Sequence, residues 1–140
     1  MPKIKYPLFC STNGREIKDL DYFASDIRDE FDEYEIIIKL SENEKFNFKF
    51  CVNQSPFCCG FIELGNFRMP VYANEKQSNA LLHLFDTLSK ENEFQLFICT
   101  VTSTCQILEK ALSESKFWTQ VKSFNNPNTI NKITLWVSNK

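Results

Sequence analysis

The sequence predicts a mixed α/β fold: a twisted, mostly antiparallel sheet with helices on both faces. Three observations predict it. Three strand-like runs follow one another between residues 34 and 67, an almost wholly apolar run FQLFICTV lies between two helical patterns, and the chain closes on two strand-like runs around an Asn/Pro-rich turn. At 140 residues the chain is long enough for one hydrophobic core and short for two, so a single domain over 1–140 is expected.

Each element has its own signal. From Ile17 to Phe31, the residues Ile17, Leu20, Phe23, Ala24, Ile27 and Phe31 recur at helical spacing, with acidic residues between them, which predicts an amphipathic helix. The runs Tyr34 to Leu40, Phe46 to Val52 and Cys58 to Phe67 predict an antiparallel meander. In the second, Phe46, Phe48 and Phe50 alternate with Asn47, Lys49 and Cys51, the period of a strand with one buried face. A helix from Glu75 to Lys90 carries the stripe Leu81, Leu84, Phe85 and Leu88. Phe94 to Val101 is apolar at nearly every position, the pattern of a central strand covered on both faces. Thr102, Ser103 and Thr104 offer N-caps for a helix holding Ile107, Leu108, Ala111 and Leu112. A hairpin ends the chain. The expected order is α, β, β, β, α, β, α, β, β.

Composition narrows the function classes. The hydrophobic fraction of 43% and charged fraction of 24% are those of a soluble globular protein, and 14 Phe make its interior aromatic. A net charge of −2 and a pI near 5.5 give no general attraction to phosphate backbones or anionic lipid, so nucleic acid and membrane are not expected partners. No apolar run approaches the roughly 20 residues of a membrane span, and the start MPKIKYPLFCST lacks the apolar section of a signal peptide. A cytoplasmic location is expected, where the six cysteines would be reduced thiols.

The closing elements carry a resemblance. A central strand, a helix, Lys116-Phe117 and a hairpin whose last strand reads KITLWV are similar, in this order after the meander, to the GNAT-type acetyltransferase fold. In that family a Gly-rich turn after the third meander strand holds the pyrophosphate of acetyl-CoA on backbone amides at a helix start. The matching stretch here, ANEKQSNA at 73–80, has no glycine. The family's general-acid tyrosine falls on Leu112 and the usual glycine before the aromatic is Lys116. The resemblance therefore implies a relative without the usual acetyl-CoA chemistry.

The stretch FCCGFIELGNFRMP, residues 57–70, raises the sharpest site question. Adjacent Cys58 and Cys59 would point to opposite faces of a strand, and the single histidine, His83, lies between leucines on a helix, so neither a metal site nor a Cys-His nucleophile is expected. Glu63 lies on the strand that lines the groove in the resembled fold, where it would serve as general base. If CoA binds, Asn74, Lys76, Gln77 and Ser78 are the candidates to hold its phosphate. For a protein partner, a basic one included, the candidates are the acidic first helix with Asp19, Asp26, Asp29 and Glu30, and the turn holding Asn66, Arg68 and Tyr72. A single-stranded nucleic-acid surface built on Phe46, Phe48 and Phe50 with Lys45 and Lys49 is opposed by the acidity of the chain. Two function classes result. One is a non-catalytic protein-binding module or inhibitor without cofactor, with a homodimer through the Trp-bearing C-terminal hairpin as one form of it, and the missing glycines and Leu112 favour it. The other is a divergent CoA-dependent acyltransferase. A small-molecule sensor using the same groove is a third reading.

Overall fold

The computed structural model describes residues 6–11, 16–27, 32–54, 61–69, 74–103, 105–125, 127–128 and 132–139. Seven strands, β1 (Leu8–Cys10), β2 (Asp32–Lys39), β3 (Lys45–Gln54), β4 (Phe61–Arg68), β5 (Gln95–Val101), β6 (Trp118–Asn125) and β7 (Lys132–Ser138), form one sheet in the order β1-β2-β3-β4-β5-β7-β6. The helices are α1 (Leu20–Asp26), α2 (Glu75–Glu91) and α3 (Gln106–Glu114). From α1 onward this is the order expected from the sequence. All neighbouring strands are antiparallel except β4 and β5, which run parallel with α2 as their crossover.

The expected layering needs correction: among the described residues, the three helices share one face of the sheet instead of covering both. Phe85 of α2 packs on Phe48 of β3 and Phe67 of β4. Phe23 of α1 meets Tyr34 of β2 edge-on, and Glu109 of α3 accepts a hydrogen bond from Thr100 of β5 at 2.9 Å. All these strand residues alternate onto the same side as Ile36, Ile38, Phe50, Leu64, Leu96, Ile98 and Trp136, each 4% exposed or less. On the opposite side, Ile37, Cys51, Phe97, Cys99, Val101, Ile133, Leu135 and Val137 are only half-buried. The burial of β5 alternates strictly, so the continuous apolar run that suggested a doubly covered strand is one core face and one open apolar face.

Other boundaries move for identifiable reasons. The first helix spans seven residues, not the fifteen of its periodic pattern. Asp19 starts it by accepting the Tyr22 amide at 2.9 Å, while Ile17 is drawn into pairing with the N-terminal strand, its N–H donating to the Phe9 carbonyl. At its other end Ile27 is extended, and the buried Asn92 amide donates to the carbonyls of Ala24 and Ile27 at 3.0 and 2.7 Å. These bonds take up carbonyls that the helix end leaves without partners. The N-cap of α3 is Cys105, not Ser103 or Thr102. Strand β1 has no periodic signature at three residues and was not expected; its register puts Phe9 opposite Ile38 on the core side. Cys58 and Cys59, and with them the start of the expected third meander strand, lie outside the described residues.

Candidate functional site

Strands β4 and β5 pair from Phe61↔Gln95 to Leu64↔Ile98, and no described pair continues beyond. The cause of the parting sits in β4. Between the pairs Cys51↔Gly65 and Lys49↔Arg68 with β3, the β4 side has one residue more, a β-bulge. Asn66 occupies it with φ 53°, the left-handed conformation that asparagine tolerates better than other non-glycine residues. The bulge restores the alternation, leaving Phe67 in the core and Arg68 exposed on the open face.

A cavity of about 330 Å³ opens at this fork, lined by Glu63, Gly65, Asn66, Phe67, Cys99, Val101 and Cys105. Glu63 and Cys99 reach it from neighbouring strands by period-two alternation. Cys105, 3% exposed, reaches it from the start of α3, where the positive end of the helix dipole favours a carboxylate nearby. A methyl group at Gly65 would stand in ordinary contact, 3.8 Å from a Glu63 carboxylate oxygen. Burial, then the Glu63 carboxylate, then the Cys105 thiol push the Cys99 thiol above the ordinary thiol range. Cys99 is thus a neutral thiol at physiological pH, beside a carboxylate. One group can accept a proton and the other can give one.

A second cavity, of about 580 Å³, adjoins the first on the same open face. It is lined by Glu33, Lys49, Phe50, Cys51, Asn66, Phe67 and Arg68, so Asn66 and Phe67 form the divide between the two.

The structure thus brings Glu63 and Asn66 into one site, with Arg68 next to it. It does not bring the helix-start candidates there. Asn74 and Gln77 spend their side chains on each other in a reciprocal capping box, and Asn74 also donates to Glu44 at the β2–β3 turn. Ser78 is 1% exposed, its hydroxyl buried without a partner among the described residues. Lys76 is exposed and lines a different cavity with Tyr6, Pro7, Leu40, Asn79, Ala80 and His83. Leu112, at the position of the family's tyrosine, is 1% exposed within the buried stripe of α3, so its side chain belongs to the core. Of the partner-binding candidates, Asp19 is an N-cap, Asp26 is exposed at the end of α1, and Asp29, Glu30 and Tyr72 lie outside the described residues.

Sequence reasoning missed Cys99 and Cys105. Both sit in apolar surroundings and read as small core residues, and only the fork turns them toward a common space. Phe46, Phe48 and Phe50 are 6% exposed or less, so these rings face the helices and none can stack on a base. His83 lies against Phe9, ring centroids 5.9 Å apart, on the helix side of the sheet and away from Cys99. Among the described residues, no group of His, Cys, Asp and Glu is placed to hold a metal ion, and no helix is long and apolar enough to cross a membrane.

No protein-family model matches the sequence, and no curated protein matches it. Among solved structures, the chain is similar to a CoA-dependent acyl-homoserine lactone synthase, MesI, with 11% identity and a TM-score of 0.41 over 96% of this chain and 69% of that one.

Proposed function

We propose that this chain is an acyltransferase-like domain of GNAT-type layout, whose small ligand occupies the fork between β4 and β5. The observation that carries the reading is the meeting of Glu63 and Cys99 on one cavity at the point where the two parallel strands part. The element order supports it from α1 to β7.

At the start of α2, the capping side chains and the Gln77 amide are already taken and leave little to hold the pyrophosphate of CoA. The capping box already occupies the Gln77 amide and both polar side chains, and the Ser78 hydroxyl is sealed in the core. The ligand is therefore held by the fork itself. Glu63 takes a proton from an incoming nucleophile, and the neutral Cys99 thiol supplies one to a leaving group. The proton on Glu63 then returns to Cys99, its electrostatic neighbour, and both groups are reset.

The test is thermal unfolding with acetyl-pantetheine thioester, which carries the acyl arm without the nucleotide. A ligand that binds only the native state raises the midpoint. A rise that persists in Glu63→Gln, together with loss of acyl transfer in that variant, is the expected result. No rise at millimolar thioester would overturn the reading.

A protein-binding role is favoured by a different observation. Edge strand β6 leaves Val121 60% and Phe124 42% exposed, beside the half-buried apolar row Ile133, Leu135 and Val137 of β7. An edge that is unpaired among the described residues, next to an apolar face, suits pairing with β6 of a second copy. Sedimentation at 1–100 µM, on the order of common dimer affinities, would show a concentration-dependent dimer that Phe124→Lys abolishes; a monomer throughout would remove this reading.

A further inference from the structure

We propose that Arg68, with Lys49, forms an oxyanion subsite next to the fork, which binds a carboxylate or phosphate group of the ligand. The proposal rests on the fork as ligand site and adds the chemistry of the ligand's second end.

Lys49 and Arg68 are direct partners across β3 and β4, two cations side by side on the open face. Like charges in this arrangement oppose the pairing of their strands. Their surroundings neutralise only one of them. Glu35 stands 3.7 Å from the Lys49 ammonium and is itself held by the Asn47 amide at 3.1 Å. Arg68 has no acidic partner within 4 Å among the described residues. Both cations line the 580 Å³ cavity, which meets the fork cavity at the Asn66 bulge. A guanidinium offers a planar fork of donors that matches an oxyanion in two-point fashion. A molecule that fills the fork at Glu63 and Cys99 and extends past Asn66 therefore ends at Arg68.

Glu33, exposed on the same cavity wall, opposes an anion there. This gives the site a signature that generic surface attraction lacks: Glu33→Gln should strengthen binding while Arg68→Gln weakens it.

The experiment measures the unfolding midpoint of the full chain against inorganic phosphate and, separately, malonate, at constant ionic strength. Both probes carry the chemistry, and the one with the lower half-saturation names the source. The expected result is a rise in the wild type, at least tenfold weaker half-saturation in Arg68→Gln, partial rescue in Arg68→Lys, and tighter half-saturation in Glu33→Gln. Failure of both probes to raise the wild-type midpoint overturns the proposal. So does a rise that survives Arg68→Gln but disappears in Lys76→Gln, which would put the anion at the start of α2. Failure of the fork reading is separately visible, because acetyl-pantetheine carries no oxyanion and reports on the fork alone.

Discussion

Asn92 closes the C-terminal end of α2 and at the same time holds the end of α1. Its amide donates to the carbonyls of Ala24 and Ile27, its side-chain oxygen accepts the Phe94 amide at 2.9 Å, and the residue is 1% exposed. In Asn92→Ala these backbone groups lose their partners inside the protein, so a loss of about 2–4 kcal/mol is expected in urea unfolding, as buried polar groups left unmade are costly. Cys99 makes a prediction about pH. Its thiol is raised by burial, by Glu63 and by Cys105, so the folded state keeps the proton longer than the unfolded chain does. The stability that this contributes is complete below the ordinary thiol pKa and is lost as pH rises through the folded value. Alkylation read at the Cys99 peptide should accordingly be slower at pH 8 than for a free thiol, and Glu63→Gln should accelerate it. An unchanged rate would mean that Glu63 does not act on this thiol. Glu63 was legible as a site candidate from its place on a strand together with the family resemblance. Cys99 was not, because cysteine in an apolar run reads as core until the open face is known.

At the scale of elements, the bulge in β4 and the short α1 show how local signals compete. Asn66 at φ 53° is the residue on which the fork turns. Asn66→Val places a β-branched side chain in a left-handed conformation and should cost about 1–2 kcal/mol, whereas Asn66→Gly should be neutral or slightly stabilising. Chemical denaturation of the two variants checks this, and equal stabilities would remove the left-handed bulge from the account. The first helix has apolar periodicity over fifteen residues, yet it is seven long, because Asp19 starts it and Asn92, remote in sequence, takes its final carbonyls. Asp19→Ala should reduce stability by about 1 kcal/mol, the usual value of an N-cap. The cap was visible in the sequence as one acidic residue among many. Its role was not, since a cap is defined by where the helix begins.

For the whole molecule, the consequence is a sheet with two unlike faces. Leu96 is fully buried while its neighbour Phe97 is half-buried, although the sequence presents both as members of one apolar run. Leu96→Ala should cost about 2–5 kcal/mol, the range for large-to-small changes in a core. Phe97→Ala should cost about 1 kcal/mol or less, in keeping with a position near the surface. Comparable losses at the two positions would show that the open face is covered in solution, as dimerisation through β6 and β7 would achieve. The same asymmetry leaves Arg68 and Phe124 of the edge strand exposed on the face opposite the helices.

The sequence by itself determined the elements from α1 onward and their order, because hydrophobic period, capping residues and turn composition act over a few neighbours. It also determined which face of β3 is core, since three phenylalanines at period two leave no alternative. Only the tertiary structure decided that the helices share one face, that β4 and β5 part after Leu64 and Ile98, and that Glu63, Cys99 and Cys105 share a cavity. These are relations between residues far apart in the chain. They follow from how a one-residue bulge shifts the register of a strand and from which side of the sheet each crossover takes, and neither leaves a periodic trace in the sequence.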